Sequence, residues 1–437
     1  MSALKLTLAI ALLALLSSTL LPNAIHAQSR GETYAIRNAR IVTVTGPVIE
    51  RGTVVISNGK IAAVGANVPV PSGARVIDAA GLSVYPGMID GGTVMGLTEI
   101  GSVAGTVDTS EIGDNNANIH VDVAIRPDSS HIAVTRVNGI TTTLTAPRGG
   151  QISGQSALVN LDGWVVKEML VKTPVAMHIN WPGGLGQGFE FGGGQQRSVT
   201  ELRREQDRQV ENIKKILREA KAYGDAKDAR AKDPAIPAQE TNLKLEALIP
   251  VVRGQMPVVI NANIERDIKN AIAFLDEMKL KGIIAGGIEA YKVADQLKAK
   301  NIPVIVGPVL RMPVKEDDGY DAAYANAGLL SKAGVKIAFQ TGDSAHSRDL
   351  PYNAGMASAY GLPKEEALKA VTIYPAEIFG VADQLGSIEK GKIANLIVTD
   401  GDPLEILTKV KHVFISGHEV PLTSRHTELY EKYKARP

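Results

Sequence analysis

The stretch that decides the fold is Tyr85-Pro86-Gly87-Met88-Ile89-Asp90, which is followed at once by Gly91-Gly92. It is an apolar run that stops at an acidic residue and two glycines, a pattern typical of a buried strand that opens into a turn. Similar short runs recur along the chain, with helical patterns between several of them. They cover 140–145, 174–179, 256–260, 282–284, 302–306 and 335–339. This alternation predicts an α/β fold with a parallel sheet or barrel.

The two flanks of this alternating region have the pattern of β-structure with tight turns. Segments rich in Val and Ile are separated by turn residues, and Asn58-Gly59 predicts a β-hairpin. The strand-like segments are 34–44, 53–56, 60–64, 74–78, 394–399 and 410–415. We therefore predict a (β/α)8 TIM-type barrel over 85–382. Residues 28–84 and 383–437 are predicted to form one small β-sandwich domain from both chain ends.

The composition excludes several classes of protein. The chain has 437 residues with 47 Lys and Arg against 46 Asp and Glu, so its net charge is +1. A balanced charge argues against a nucleic-acid partner, because such binders depend on a basic surface. There is no cysteine, which excludes disulfides, thiolate zinc sites and cysteine nucleophiles.

The first residues have the pattern of a secretory leader. Lys5 precedes an apolar run over 6–21, and Ala24-Ile25-His26-Ala27 provides a small-residue exit. We predict a signal peptide over 1–27 and a periplasmic or secreted mature protein that does not bind a membrane after cleavage. The alternative is a membrane anchor, for which the run is short.

Two helices have readable features. Ser198-Val199-Thr200-Glu201 is a capping box, and apolar residues follow it at helical spacing as far as Ala220. Residues 267–278 place Ile268, Ile272 and Leu275 on one face. Each pattern predicts an amphipathic helix.

Four passages carry a resemblance to a known family. They are Tyr85-Pro86-Gly87-Met88-Ile89-Asp90, Asn138-Gly139-Ile140-Thr141-Thr142, the region 361–376, and the region 386–403 that ends in Asp400-Gly401-Asp402-Pro403. In this order they resemble the metal-dependent amidohydrolase superfamily, particularly its imidazolonepropionase-like and bacterial dipeptidase-like members. The resemblance covers nearly the whole chain after the leader. It implies a metal-activated water that breaks a C–N bond at the barrel mouth.

The family's metal-binding pattern is not matched here. Members hold metal with His-x-His on strand one, a carboxylated Lys or Glu on strand four, one His each on strands five and six, and Asp on strand eight. The His-x-His positions hold Gly92 and Val94, and strand five reads Asn261-Ala262-Asn263. Only the strand-eight acid is present, as Asp343. The resemblance therefore implies a degenerate metal site.

The candidate site residues follow from these positions. Asp343 is the predicted catalytic residue, a general base or a residual ligand, with a hydrogen-bonded turn as the alternative. We predict no metal ligand and no cofactor. A single Zn²⁺ held by a His/Asp cluster stays open as an alternative. Glycines at 92, 286 and 287 predict a widened pocket. The predicted substrate-binding residues are His178, Asn261, Asn263, His346 and Arg348.

Two functions remain open. The first is an exported hydrolase of a C–N bond in a non-peptide amide, a cyclic amide or a small dipeptide. The second is a non-catalytic pseudoenzyme that binds a ligand or pairs with an active homologue. The expected partner is a small amide or peptide, and a homo-oligomer is a further possibility. Loss of four His ligands favours the second function, and family membership favours the first.

Overall fold

The structure is a computed structural model that describes residues 31–183, 198–315 and 317–436. The predicted leader over 1–27 lies outside these ranges. Within them, no helix is long and apolar enough to cross a membrane.

Strands and helices alternate through the middle of the chain. The strands are β1 (Tyr34–Ile41), β2 (Ile49–Ser57), β3 (Lys60–Gly65), β4 (Arg75–Asp78), β5 (Ser83–Pro86), β6 (Met88–Thr93), β7 (Ile140–Thr145), β8 (Ile152–Gln155), β9 (Ala157–Asn160), β10 (Leu170–Lys172), β11 (Met177–Asn180), β12 (Val258–Ala262), β13 (Gly282–Gly286), β14 (Val304–Val306), β15 (Ile337–Phe339), β16 (Leu396–Thr399), β17 (Val410–Ile415) and β18 (His418–Val420). The helices are α1 (Ser130–Arg136), α2 (Val166–Met169), α3 (Val199–Lys232), α4 (Leu243–Val252), α5 (Glu265–Met278), α6 (Ala294–Ala299), α7 (Ala322–Lys332), α8 (Leu350–Ala359), α9 (Lys364–Ala370), α10 (Ile373–Ile378) and α11 (Arg425–Lys434).

One sheet joins both ends of the chain. Its strands run in the order β18-β17-β16-β5-β1-β2-β3, and β4 pairs with β1. The predicted hairpin is confirmed between β2 and β3, where Asn58 and Gly59 both have positive φ, at 53° and 77°. Hydrogen bonds connect all eight strands into one sheet, so a division into two facing layers stays a prediction.

The central strands form two further sheets. One has the order β15-β14-β13-β12-β11-β8 and the other β10-β9-β7-β6. Strands β11 to β15 are mutually parallel, as are β6 and β7. This confirms the α/β class with parallel pairing.

The alternation of parallel strands and helices is interrupted after β7. Strand β9 runs antiparallel to β7, and β8 runs antiparallel to β11. The reason is the length of the connection, since β7 ends at Thr145 and its antiparallel partner β9 begins at Ala157. A parallel connection needs roughly a dozen residues or more, so the chain turns back instead.

Strand β6 lies close to β15. The N–H of Gly342, beyond β15, donates to the carbonyl of Gly92 on β6 at 3.0 Å. A Cβ at Gly91 would lie 2.8 Å from the carbonyl oxygen of Phe339. Glycine at 91 therefore permits the approach of these two strands.

The apolar core has an inner and an outer part. Side chains of several central strands, such as Ile89 on β6, Val259 on β12 and Ile305 on β14, pack in one cluster with Phe379 near α10. Their sequence neighbours Met88, Ile260 and others pack with the helices in a larger cluster. Alternation along each strand separates the two parts.

The two predicted helices are confirmed. Helix α3 begins with the predicted capping box, in which the Ser198 side chain accepts from the Glu201 N–H. Helix α5 buries the predicted face, with Ile268, Ile272 and Leu275 at most 6% exposed.

An amide network ties the terminal sheet to the central strands. Asn395, just before β16, donates to Asn160 Oδ1 at 2.8 Å and to Thr142 Oγ1 at 3.1 Å. Its Oδ1 accepts the N–H of Ser416 at 2.8 Å. Asn395 is 5% exposed, so removal of its amide leaves buried polar atoms without partners.

We therefore expect Asn395→Ala to lower the free energy of unfolding by about 2–4 kcal/mol, since three buried hydrogen bonds are lost. Urea denaturation followed by circular dichroism measures this change. The matched control is Asn270→Ala on the exposed side of α5, which should cost less than about 0.5 kcal/mol. Equal stability of the two variants would contradict the role of this network.

Candidate functional site

Two asparagines stand opposite each other at the carboxyl ends of β11 and β12. Asn180 pairs in register with Asn261, and Asn261 Nδ2 donates to Asn180 Oδ1 at 3.0 Å. Asn180 Nδ2 donates in turn to the carbonyls of Arg148 and Gly150, both at 2.8 Å. Asn180 is thus held in place by the loop after β7, and it orients Asn261.

The predicted widening of the pocket at the glycines is wrong. A Cβ on Gly92 would collide with Oε1 of Gln340, and a Cβ on Gly286 would collide with Oδ1 of Asn263. Gln340 is fixed there because its Nε2 donates to the carbonyl of Gly307 at 3.2 Å. Amide side chains therefore fill the room that the glycines leave at β6 and β13.

Asp343 lies in the loop after β15 and is half-buried. Its Oδ1 accepts the N–H of His346 at 2.7 Å, and its carbonyl accepts the Ser347 hydroxyl at 2.7 Å. These bonds form a turn with His346 and Ser347, whereas the turn expected from the sequence is one with Thr341 and Ser344. They leave the second carboxylate oxygen of Asp343 able to accept a further hydrogen bond.

The side chains of His346 and Arg348 contact other side chains of the protein. The His346 side chain is 66% exposed, and its Nδ1 lies 3.1 Å from Asp349 Oδ2. The Arg348 guanidinium lies 3.0 Å from Nδ1 of His426 on α11. Arg348 is therefore engaged with the C-terminal helix, and substrate binding by these two residues stays a prediction.

His178 lies deeper than the other candidates. It precedes Asn180 by two residues on β11, so both side chains share one face and Asn180 is nearer the carboxyl end. His178 is 4% exposed, and its Nε2 has no hydrogen-bond partner among the described residues. Burial lowers the pKa of His178 to about 4, so the ring is neutral at pH 7.

A buried carboxylate that the sequence did not single out joins β6 to the loop after β15. Asp90 is fully buried and accepts the N–H groups of Gly92 and Thr341 at 3.1 and 3.2 Å and the Thr341 hydroxyl at 2.5 Å. Burial raises the pKa of Asp90 to about 7, although these hydrogen bonds oppose the rise. Asp90 thus holds Thr341, two residues before Asp343.

A second residue missing from the predicted site is Arg148, in the loop after β7. Loss of solvation lowers the pKa of Arg148, and the charge of Asp343 opposes this shift. The charge of the Asp343 carboxylate therefore favours the charged form of this guanidinium. Asp90 ends the stretch that decides the fold, but its contact with Thr341 is not visible in local sequence, and the position of Arg148 near Asp343 is not visible there either.

The residues at these strand ends do not fit the metal centre of the resembled family. Asparagine amides are neutral and weakly basic, so they are poor zinc ligands, and glycine has no donor side chain. Among the described residues, no group of three or more His, Asp or Glu is placed to hold a metal ion. His178, His346 and Asp343 are therefore not brought together as one three-ligand set.

The buried carboxyl of Asp90 makes stability depend on pH. Its pKa rises from 3.8 to about 7 on folding. Between these values the folded protein keeps a proton that the unfolded chain has lost, so the free energy of unfolding decreases as pH rises through this window. Asp90→Asn keeps the shape and removes the titration. Relative to wild type, the variant should gain on the order of 3 kcal/mol between about pH 4 and about pH 7.

Chemical denaturation at a series of pH values measures this gain. Asp383→Asn, at an exposed carboxylate, is the matched control and should follow the wild-type profile. Parallel profiles for wild type and Asp90→Asn would show that Asp90 is ionised in the folded state.

Comparison with known proteins adds a family match. The model of the amidohydrolase family matches residues 269–420. Amidohydrolase tasK from Hapsidospora irregularis is 25% identical over 401 residues, which are 84% of this chain. The chain spans 39% of the length of that relative.

Solved structures show the same fold. An amidohydrolase from Thermotoga maritima MSB8 superposes with a TM-score of 0.78 at 28% identity, over 90% of this chain and 100% of that one. A Xaa-Pro dipeptidase with bound methionine in its active site superposes with a TM-score of 0.54 at 16% identity, over 89% of this chain and 100% of that one. At that identity the likeness concerns the fold alone. The chain is thus similar to amidohydrolases over residues 269–420 and shares the fold of these solved structures.

Proposed function

We propose that this chain is a ligand-binding member of the amidohydrolase superfamily, which recognises a small amide or peptide without metal-dependent hydrolysis. One observation carries the proposal. The strand ends that would hold metal ligands carry Asn261, Asn263 and the space-filling Gln340. These amides donate and accept hydrogen bonds, as an amide ligand does.

The proposal includes a closed barrel. Residues 152–160 belong to both central sheets, since β8 pairs with β11 and β9 pairs with β7. The bond from Gly342 to Gly92 joins the opposite edges. These contacts support one closed barrel with eight strand positions, in which β8 and β9 together take the third position and run antiparallel. The mouth of this barrel is at the carboxyl ends of β11 to β15.

Residues at the mouth contact different groups of the ligand in this proposal. Asn261 is half-buried and oriented by Asn180, so its position is fixed before a ligand arrives. The free oxygen of Asp343 accepts an N–H of the ligand, and Arg148 offers a cation to a carboxylate or carbonyl. Polar side chains that are already fixed favour binding, because little conformational entropy of the protein is lost when the ligand binds.

The alternative is hydrolysis of the same kind of C–N bond. Asp343 follows β15, the eighth strand position of the barrel, where the family has its catalytic aspartate. This position favours a role of Asp343 as a general base. This alternative needs an activated water for which the described residues supply no metal-ligand set. Pairing with an active homologue is a further form of the binding function.

Export is part of the proposal. The apolar run over 6–21 and the exit at Ala24-Ile25-His26-Ala27 support a leader, and hence a periplasmic or secreted protein.

The first test is metal content. Mature protein purified from medium supplemented with zinc, manganese and iron should contain less than about a tenth of an equivalent of each, because three protein ligands are the usual minimum for a catalytic zinc. Elemental analysis measures this. A stoichiometric metal that Asp343→Ala releases would establish the hydrolase alternative instead.

The second test is ligand binding. A panel of dipeptides and small lactams is titrated calorimetrically, and turnover is followed by chromatography. We expect binding without turnover, and we expect Asn261→Ala and Asp343→Ala to weaken it about tenfold each, since each removes one oriented hydrogen bond. Asn270→Ala, outside the mouth, should leave affinity unchanged. Turnover by wild type, or unchanged affinity in both site variants, would contradict the proposal.

A further inference from the structure

A large cavity lies at the opposite ends of the parallel strands. It has a volume of about 890 Å³ and is bordered by Pro257, Gly282, Pro303 and Lys336. These residues lie at or next to the amino ends of β12, β13, β14 and β15. The mouth with Asn261 and Asp343 is at the carboxyl ends, so the two sites share no lining residue. We name this space the floor cavity.

The floor cavity is strongly basic. Its lining includes six lysines and two acidic residues, a net charge of +4, in a chain whose total net charge is +1. The lysines are Lys172, Lys279, Lys281, Lys298, Lys300 and Lys336. Since like charges repel, this clustering opposes folding and is not explained by stability.

Only part of this charge is neutralised within the protein. Asp276 pairs with Lys300 at 2.7 Å, and Glu377 pairs with Lys336 at 2.5 Å. Lys172 donates at 2.7 Å to the carbonyl of Phe379, at the end of α10. Both acidic residues of the lining therefore already have a lysine partner.

Three lysines keep their charge available. Lys279, Lys281 and Lys298 are exposed, and no ion pair or hydrogen bond of their ammonium groups occurs within the described chain. Lys279 follows α5, Lys281 precedes β13, and Lys298 lies on α6. Three separate elements therefore converge with unpaired cations on one cavity.

The walls between the lysines are apolar. Ile272, Leu275, Leu297, Ile302, Val335 and Phe379 line the cavity and are at most 6% exposed. A volume of this size and an apolar wall with a few charged groups are typical of small-molecule sites. The apolar wall accepts the body of a ligand, and the lysines accept its charged groups.

We propose that the floor cavity is a binding site for an organic anion that carries two or more negative charges on an apolar or aromatic body. This inference does not depend on the function proposed for the mouth.

The probe is bis-ANS, a fluorescent dye with two sulfonates on an aromatic body. Fluorescence titration should show a site on wild-type protein that inorganic tripolyphosphate displaces and that added salt weakens. The variant with Lys279→Gln, Lys281→Gln and Lys298→Gln should bind the dye about tenfold more weakly, because three charge contacts are lost.

The matched control removes three exposed lysines away from the cavity. Lys215→Gln, Lys232→Gln and Lys244→Gln together remove the same total charge and should change dye affinity less than about twofold. Thermal melting confirms that both triple variants are folded. Absence of displaceable binding to wild type, or equal affinities of the two triple variants, would overturn the proposal.

Discussion

The register of the parallel strands is the constraint on which the site depends. Asn180, Asn261 and Ala285 lie side by side on β11, β12 and β13. Asn261 and Ala285 are each two residues beyond a side chain of the inner cluster, Val259 and Ile283. Because side chains alternate, a shift of one residue would turn these asparagines toward the helices. Apolar packing on both faces fixes the register, and the register places the polar groups at one edge.

Much of this arrangement follows from local sequence. The hairpin at Asn58-Gly59 and the capping box at Ser198 are set by neighbouring residues, so the sequence predicts them correctly. The antiparallel β8 and β9 were missed because glycines at 149 and 150 indicate a loop. The connection after which the chain runs back antiparallel to β7 was therefore not recognised. Asp90 was missed because its hydrogen-bond partner Thr341 is 251 residues away.

Asp90 shows how a buried acid is tolerated between β6 and the loop after β15. Withdrawal from water disfavours its charge, and three hydrogen-bond donors favour it. The balance leaves a carboxyl that titrates near neutral pH beside the loop of Asp343. Thr341 donates to Asp90 through both its backbone and its side chain, so Asp90 holds the start of the loop that carries Asp343.

The scaffold and its strand ends are physically separable. The inner core is built from side chains such as Ile89 and Ile305, none of which is a metal-ligand type, so the fold does not require ligands at the mouth. The converse also holds. A histidine at 92 must displace the side chain of Gln340. A histidine at 286 must displace the side chain of Asn263, and it must also adopt the φ of 83° that Gly286 has, which L residues rarely adopt. A metal centre at these strand ends therefore requires coordinated changes of several residues.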